Sequence, residues 1–307
     1  MPDAPLVGST FVAVGENGLR AFSRDGLAWT HVQHGREGEV LSTACFGGGK
    51  CVVAGRFGGD GSFLSTSDGV AWNEQKHNAQ YVKYIHCVTH FKDKFIAAGT
   101  NFVLTSGDGA TWSKEISIVE YKVSYGLGGM LRRFATGNDL LVGVGDFARR
   151  SASKDGVVFQ DTPKPKAVDT LIDIAFGNGF FVGGGMHGLR MRSVDGLTWT
   201  DRVVGEEGEH INSIVWDGKQ FVGIGQGATY FSSDGAKWER VPNVNAPTTA
   251  AFGFNAAGAA AAGGGTYVGS LWPGKIMRST DAIKWTEATT FPDHVLALAY
   301  GSLGSSK

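Results

Sequence analysis

The sequence predicts an all-β chain: a seven-bladed β-propeller of four-stranded antiparallel blades, closed by a C-terminal velcro strand in the first blade. Three observations predict it. A seven-residue signature recurs seven times, a glycine-ended apolar run precedes each copy, and one strand is left over at the C-terminus. Residues 1–307 are expected to form one domain.

The signature reads Ser-x-Asp-Gly-x-x-Trp. It stands at Ser23–Trp29, Thr66–Trp72, Ser106–Trp112, Ser153–Phe159, Ser193–Trp199, Ser232–Trp238 and Ser279–Trp285, with Phe159 once replacing Trp and Ala282 once replacing Gly. Its acids, Asp25, Asp68, Asp108, Asp155, Asp195, Asp234 and Asp281, lie 43, 40, 47, 40, 39 and 47 positions apart. Ahead of each copy comes FVAVG, CVVAG, FIAAG, LVGVG, FVGGG, FVGIG or AAAAG, read as a second strand ending at Gly15, Gly55, Gly99, Gly145, Gly185, Gly225 or Gly263. Another apolar run, such as LIDIAFGNG, precedes that. Short apolar runs bounded by Gly and Asp are strand signals. Four of them per unit of about 40–45 residues is the period of a propeller blade.

The phase of the repeat predicts the closure. The chain enters at FVAVG, a second strand, and ends with VLALAYG after His294, which reads as a first strand with no unit behind it. Pairing that strand with the opening unit completes a blade and removes free sheet edges. The chain is accordingly expected to be complete as a domain.

Composition narrows the function. A net charge of −1 provides no field to gather nucleic acid. No apolar run reaches the roughly 18 residues of a membrane span, and MPDAPLVGST lacks the basic and apolar regions of a signal peptide. The expected setting is therefore the cytoplasm or, for a processed chain, a secreted or periplasmic compartment. The 47 Gly accompany 8 Trp and 19 Phe, which argues for many tight turns around an aromatic core. Three Cys make neither a disulfide framework nor a metal signature. Cys45 and Cys51 flank FGGGK, where they could face each other across a hairpin, and Cys87 is left over. No Walker loop, HExxH, GxSxG or paired CxxC occurs, and the GxG strings end strands instead of opening helices. No cofactor and no metal are expected, and the propeller is expected to be monomeric unless a partner assembles it.

The seven signatures resemble the Asp box, or bacterial neuraminidase repeat, in a variant one residue shorter between Asp and Trp. The resemblance covers every blade and implies the propeller fold. It implies a turn in which Asp accepts backbone N–H bonds, Gly takes φ > 0 and Trp buries its ring. Seven acids spread round a ring cannot converge on one site, so their role is expected to be structural. Sialidase chemistry is not carried over, because the Arg-Ile-Pro-like motif of those enzymes is missing and no pattern selects an arginine triad.

Departures from the repeat are where function is sought. From each signature aromatic to the next anchor, Trp112 to Thr136 is the long case, 24 residues, inserting roughly VEYKVSYGLGG with Tyr121 and Tyr125. From second-strand Gly to signature, Gly263 to Ser279 is the long case, 16 residues, containing Tyr267 and Trp272. Both loops would emerge on one face, opposite the Asp turns, as an aromatic binding face; otherwise each packs over its own blade. The first strand MLRRFATG carries Arg132 and Arg133, and the next unit carries Asp173. These read either as a buried Arg–Asp pair or as an anion site. His86 and His90 are too far apart on a strand to share a metal, whereas His187, His210 and His294 could approach one another on the loop face.

Two function classes follow. The first is a binding or interaction module for carbohydrate or a protein, with Tyr121, Tyr125, Arg132, His187, Tyr267 and Trp272 as ligand contacts. The second is a lyase or glycoside hydrolase acting on polysaccharide, with Tyr121, Tyr125, His187, His210, Arg132 and Arg133 in the central funnel. Convergence of His, Tyr and Arg on one point would favour the second.

Overall fold

The computed structural model describes residues 4–75, 84–118, 130–162, 169–205, 209–247 and 260–304. The apolar runs form seven four-stranded antiparallel sheets. The innermost strands of blades 2 to 7 are Val40–Gly47, Ile85–Phe91, Leu131–Gly137, Leu171–Gly177, Ile211–Trp216 and Ala260–Gly263. In blade 1 that place belongs to the C-terminal strand Val295–Leu303, which pairs with Gly8–Gly15. The core lies between blades: Val52, Ala54 and Phe63 of blade 2 pack with Ile85, Val88 and Trp112 of blade 3.

Each first strand runs from one face of the ring to the other. Connections between blades, and turns from second to third strands, share the loop face. The first hairpins and the Ser-x-Asp-Gly turns share the opposite, turn face. In blade 6, Asp234 Oδ1 accepts the N–H groups of Ala236 and Lys237 at 2.9 and 3.0 Å, while Gly235 N donates to Ser232 Oγ. These backbone bonds hold the carboxyls of Asp25, Asp108, Asp155 and Asp234 below the usual range. At Asp68, Asp195 and Asp281 partial burial opposes the shift and the same bonds outweigh it. The turn needs φ > 0 after Asp; Ala282 stands there at φ 58°.

Two repeated glycines have separate causes. A Cβ on Gly15, Gly55, Gly145 or Gly185 would lie 1.7–2.1 Å from a carbonyl oxygen at the start of a first strand or just before it. A Cβ on Gly47, Gly137, Gly177, Gly263 or Gly301 would lie 2.1–2.4 Å from a ring of the next blade: His90, Phe176, Trp216, Tyr300 or Phe46. Where the next blade has no ring at that place, the glycine is missing too. Phe91 precedes the blade with Thr136, and Asp217 precedes the blade with Ala262. Room and ring are thus matched around the inner wall.

This distinction corrects the expected loop in blade 7. AAAAG ends the first strand, not the second, since Ala260–Gly263 pairs with Thr266–Leu271, the true second strand. No insertion follows Gly263. The turn to the third strand is only Trp272–Gly274. The long connection lies instead before blade 7: Trp238 to Ala262 spans 24 residues, as Trp112 to Thr136 does. Tyr267 is consequently a strand residue with a buried ring, and its hydroxyl donates to Asp217 Oδ2 at 2.6 Å. Cys45 and Cys51 do not face each other either. Phe46 is the partner of Cys51, so successive pleats point the two thiols to opposite sides, and all three cysteines are free. Burial raises all three thiol pKa values.

Three blade interfaces carry a charged clasp. Arg20, Arg150 and Arg190 open third strands and are buried. Their guanidiniums lie 5.3, 5.6 and 5.6 Å from the signature Trp ring of the next blade, Trp72, Trp199 and Trp238. Nineteen residues after each Arg stands a buried acid: Glu39, Asp169 or Glu209. A second Arg meets each acid: Arg36, Arg202 or Arg240. In blade 2, Phe63 fills the corresponding slot and packs on Trp112 at 4.5 Å.

Candidate functional site at the channel mouth

The first strands of blades 2 to 6 skip register near the loop face, at Leu41/Thr43, Ile85/Cys87, Leu131/Arg133, Leu171/Asp173 and Ile211/Ser213. A bulge adds one residue and re-aims its neighbours. The extra residues are Ser42, His86, Arg132, Ile172 and Asn212, so blades 3 and 4 alone among these five place ionisable groups at the bulge.

The residue after the bulge can stitch blades together. Thr43 Oγ1 accepts Val88 N–H at 3.0 Å, and Asp173 Oδ2 accepts Ile214 N–H and the Ser213 hydroxyl at 2.9 and 3.0 Å. Asp173 Oδ1 takes Ile174 N–H at 2.9 Å. Burial nevertheless pushes the Asp173 carboxyl up, against Arg133 and these bonds.

The Arg–Asp173 ion pair, one of the two readings of these residues, is not formed. Arg132 Nε donates to Asp146 Oδ1 of its own blade at 2.5 Å. Arg133 Nη1 donates to the Arg132 carbonyl at 2.9 Å, its one hydrogen bond among the described residues. The reason is directional: Asp173 is turned toward blade 6, where two donors occupy it, and Ile174 N–H of its own strand supplies a third. Arg133 lies between the first strands of blades 3 and 5, and its charge acts on His86 and Cys87 on one side and Asp173 on the other.

Around it gathers a set that sequence reasoning did not select. The Tyr84 and His86 rings meet edge to face at 4.5 Å, and the exposed Arg56 guanidinium lies 5.9 Å from the Tyr84 ring. His86 Nε2 lies 3.0 Å from Thr100 Oγ1, and Thr100 donates to Met130 Sδ at 3.6 Å. That chain makes Nε2 the donor and leaves Nδ1 as an acceptor. Burial, then Arg132 and Arg133, depress the His86 pKa to about 4. The signal was available in the repeat: His86 stands where other first strands carry Ser42, Ile172 or Asn212.

Of the three histidines expected to meet, two do. His187 N–H donates to His210 Nδ1 at 3.0 Å, with the rings 5.3 Å apart. His294 instead lies in blade 1, its carbonyl against Gly15. Burial and His187 lower the His210 pKa. Because Nδ1 accepts a backbone N–H, Nε2 must carry the proton in the neutral ring, which disfavours a metal there. No three His, Cys, Asp or Glu groups converge among the described residues. His86 and His90 sit at opposite ends of their strand.

Among the described residues, two large hydrophobic rings stand exposed on the loop face. Trp272 is 67% exposed, and Phe147 is 53% exposed. Phe147 occupies the same left-handed turn position as His187, at φ 50° and 54°. Tyr121 and Tyr125 lie outside the described residues. On the turn face, a polar groove of about 410 Å³ is lined by Lys50, Ser65–Ser67, Asn73, Glu74 and Ala110. No helix among the described residues is long and apolar enough to cross a membrane.

No protein-family model matches the chain, and no curated protein matches it in sequence. Solved structures match it in fold. YCF48 bound to D1 peptide has a TM-score of 0.60 and 12% identity over 98% of this chain and 92% of that one. Virginiamycin B lyase from Staphylococcus aureus has a TM-score of 0.63 and 13% identity over 82% and 84%. Apo AztD from Citrobacter koseri has a TM-score of 0.59 and 12% identity over 99% and 100%. At these identities the likeness establishes architecture alone.

Proposed function

We propose that this chain is a non-catalytic binding module that holds a protein segment across its loop face. The observation that carries the reading is the pair of unburied rings, Phe147 and Trp272, on loops of that face. Large rings left in water on a rigid scaffold are the material of binding hot spots. A propeller of the same architecture, YCF48, has been solved with a peptide bound, which supports a protein ligand over carbohydrate. Tyr121, Tyr125, Arg132 and His187 belong to the same proposed face; Tyr267, being buried, is withdrawn from it.

The enzymatic reading has less support. A general base works best with a pKa near the working pH. His86, at about 4, is far below neutrality, and His210 has Nδ1 occupied by a backbone N–H.

The test is a peptide array and a glycan array probed with the wild type and with Phe147→Ala/Trp272→Ala. Peptide binding should weaken about thirtyfold, the equivalent of about 2 kcal/mol at a hot spot, with the melting temperature unchanged. Binding to glycans only, or full binding by the double variant, would refute the reading.

A further inference from the structure

We propose that the mouth of the central channel is a carboxylate-binding subsite, in which Arg133 takes an acidic side chain of the bound protein segment. The proposal rests on the loop-face reading above and names the chemistry of its ligand.

Four observations carry it. Among the described residues Arg133 forms no ion pair and has one carbonyl as its only hydrogen-bond partner. A guanidinium has five N–H donors, and its fork fits a carboxylate through two parallel bonds. The acids of its own blade's second turn and of the next blade's first strand are already engaged. Asp146 is bound to Arg132, and Asp173 already accepts three bonds, from Ile174, Ile214 and Ser213. Arg133 is also partly exposed at the end of the channel that opens to the loop face.

The surroundings admit an anion. Arg132 and Arg56 stand on the neighbouring positions of blades 4 and 2, and neutral His86 between them adds no opposing charge. The three charged clasps close the interfaces between blades 1 and 2, 4 and 5, and 5 and 6. The interfaces from blade 2 to blade 4, which flank this mouth, have hydrophobic Phe63 and Val103 in the clasp position. Phe147 lies one residue beyond Asp146, so a segment resting on that ring comes within reach of the Arg132–Arg133 pair.

Fluorescein-labelled hexaglutamate and hexaglutamine serve as probes, read by anisotropy at low ionic strength. Hexaglutamate should bind at least tenfold more tightly than hexaglutamine. Arg133→Gln should lower hexaglutamate affinity about tenfold or more, as expected for loss of a charge-assisted bidentate pair. Lys219→Gln, an exposed cation on the turn face, should leave it unchanged. The wild-type affinity should also fall as salt rises, a measurement that needs no variant and so survives any folding defect in Arg133→Gln. Equal binding of the two probes, an unaffected Arg133→Gln, or salt-independent affinity would each overturn the proposal. If Arg133→Gln binds normally while Phe147→Ala/Trp272→Ala loses array binding, the subsite fails and the loop-face reading stands. If both variants bind normally, both fail.

Discussion

The interfaces between blades 5 and 6 and between blades 2 and 3 are made from the same strands and closed by different chemistry. Between blades 5 and 6, Arg190 lies 4.2 Å from the Tyr230 ring and 5.6 Å from the Trp238 ring, with Glu209 held by Tyr230 and Arg240. Between blades 2 and 3, Phe63 packs on Trp112 in the same slot. The slot beside the signature Trp is therefore a place for a flat group, charged or not. A buried guanidinium demands an acid, because an unpaired ion in that environment is costly. The acid then demands room: a Cβ on Gly18 or Gly35 would lie 2.6 or 2.1 Å from Glu39 Oε2. Choosing Arg thus commits a whole connection to holding its acid. Choosing Phe leaves the loop-face connection without that duty, and the Phe63 and Val103 interfaces are the ones that flank the candidate site.

The largest effect should come from removing what closes the ring. Deleting His294–Lys307 strips blade 1 of its inner strand and exposes two sheet edges. Aggregation, or loss of the cooperative thermal transition by circular dichroism, is expected; an unchanged melting temperature would contradict the pairing.

The clasp itself can be broken next. Glu209→Ala removes the buried acceptor of Tyr230 and Arg240 and the negative charge that offsets buried Arg190, and should cost about 3 kcal/mol in urea unfolding. Arg190→Phe/Glu209→Val imitates blade 2 and should lose less, because the buried cation is removed together with the acid whose charge offsets it. A double variant as unstable as Glu209→Ala would show that the slot is not interchangeable.

The matched ring and glycine offer a smaller, sharper test. Gly177→Ala puts a methyl group 2.1 Å from the Trp216 ring and should cost about 1–3 kcal/mol. Once Trp216→Ala has removed the ring, the same change should cost much less. A double-mutant cycle with no coupling would refute the matching.

The signature turns should show the smallest effects, with opposite signs at two positions. Asp234→Ala strands two turn N–H groups and should cost about 1–3 kcal/mol. Ala282→Gly relieves a left-handed alanine and should stabilise by about 1 kcal/mol. The carboxyls of these turns have folded pKa values below the unfolded value. Their contribution is therefore full above about pH 4 and is lost as pH falls through the folded pKa, so wild-type melting temperature should drop in acid and Asp234→Ala should drop less.

The sequence by itself determined the blade number, the four-strand unit, the Asp turns and the closure, because each depends on contacts within one repeat or on the repeat's phase. The clasp was equally legible, in three Arg–acid pairs 19 apart, though only burial reveals what that spacing means. Tertiary structure alone decided the rest. Gly263 looks like Gly225 in one dimension, yet one makes room for the Tyr300 ring of the next blade and the other for a backbone carbonyl, so the repeat pattern alone sets the strand phase of blade 7 wrongly and puts the strand residue Tyr267 in a loop. Arg132 and Arg133 were visible as charges in an apolar strand. A bulge sends Arg132 to Asp146 and leaves Arg133 without an acid partner among the described residues, because register and side-chain direction are fixed by neighbouring blades, which no single repeat encodes.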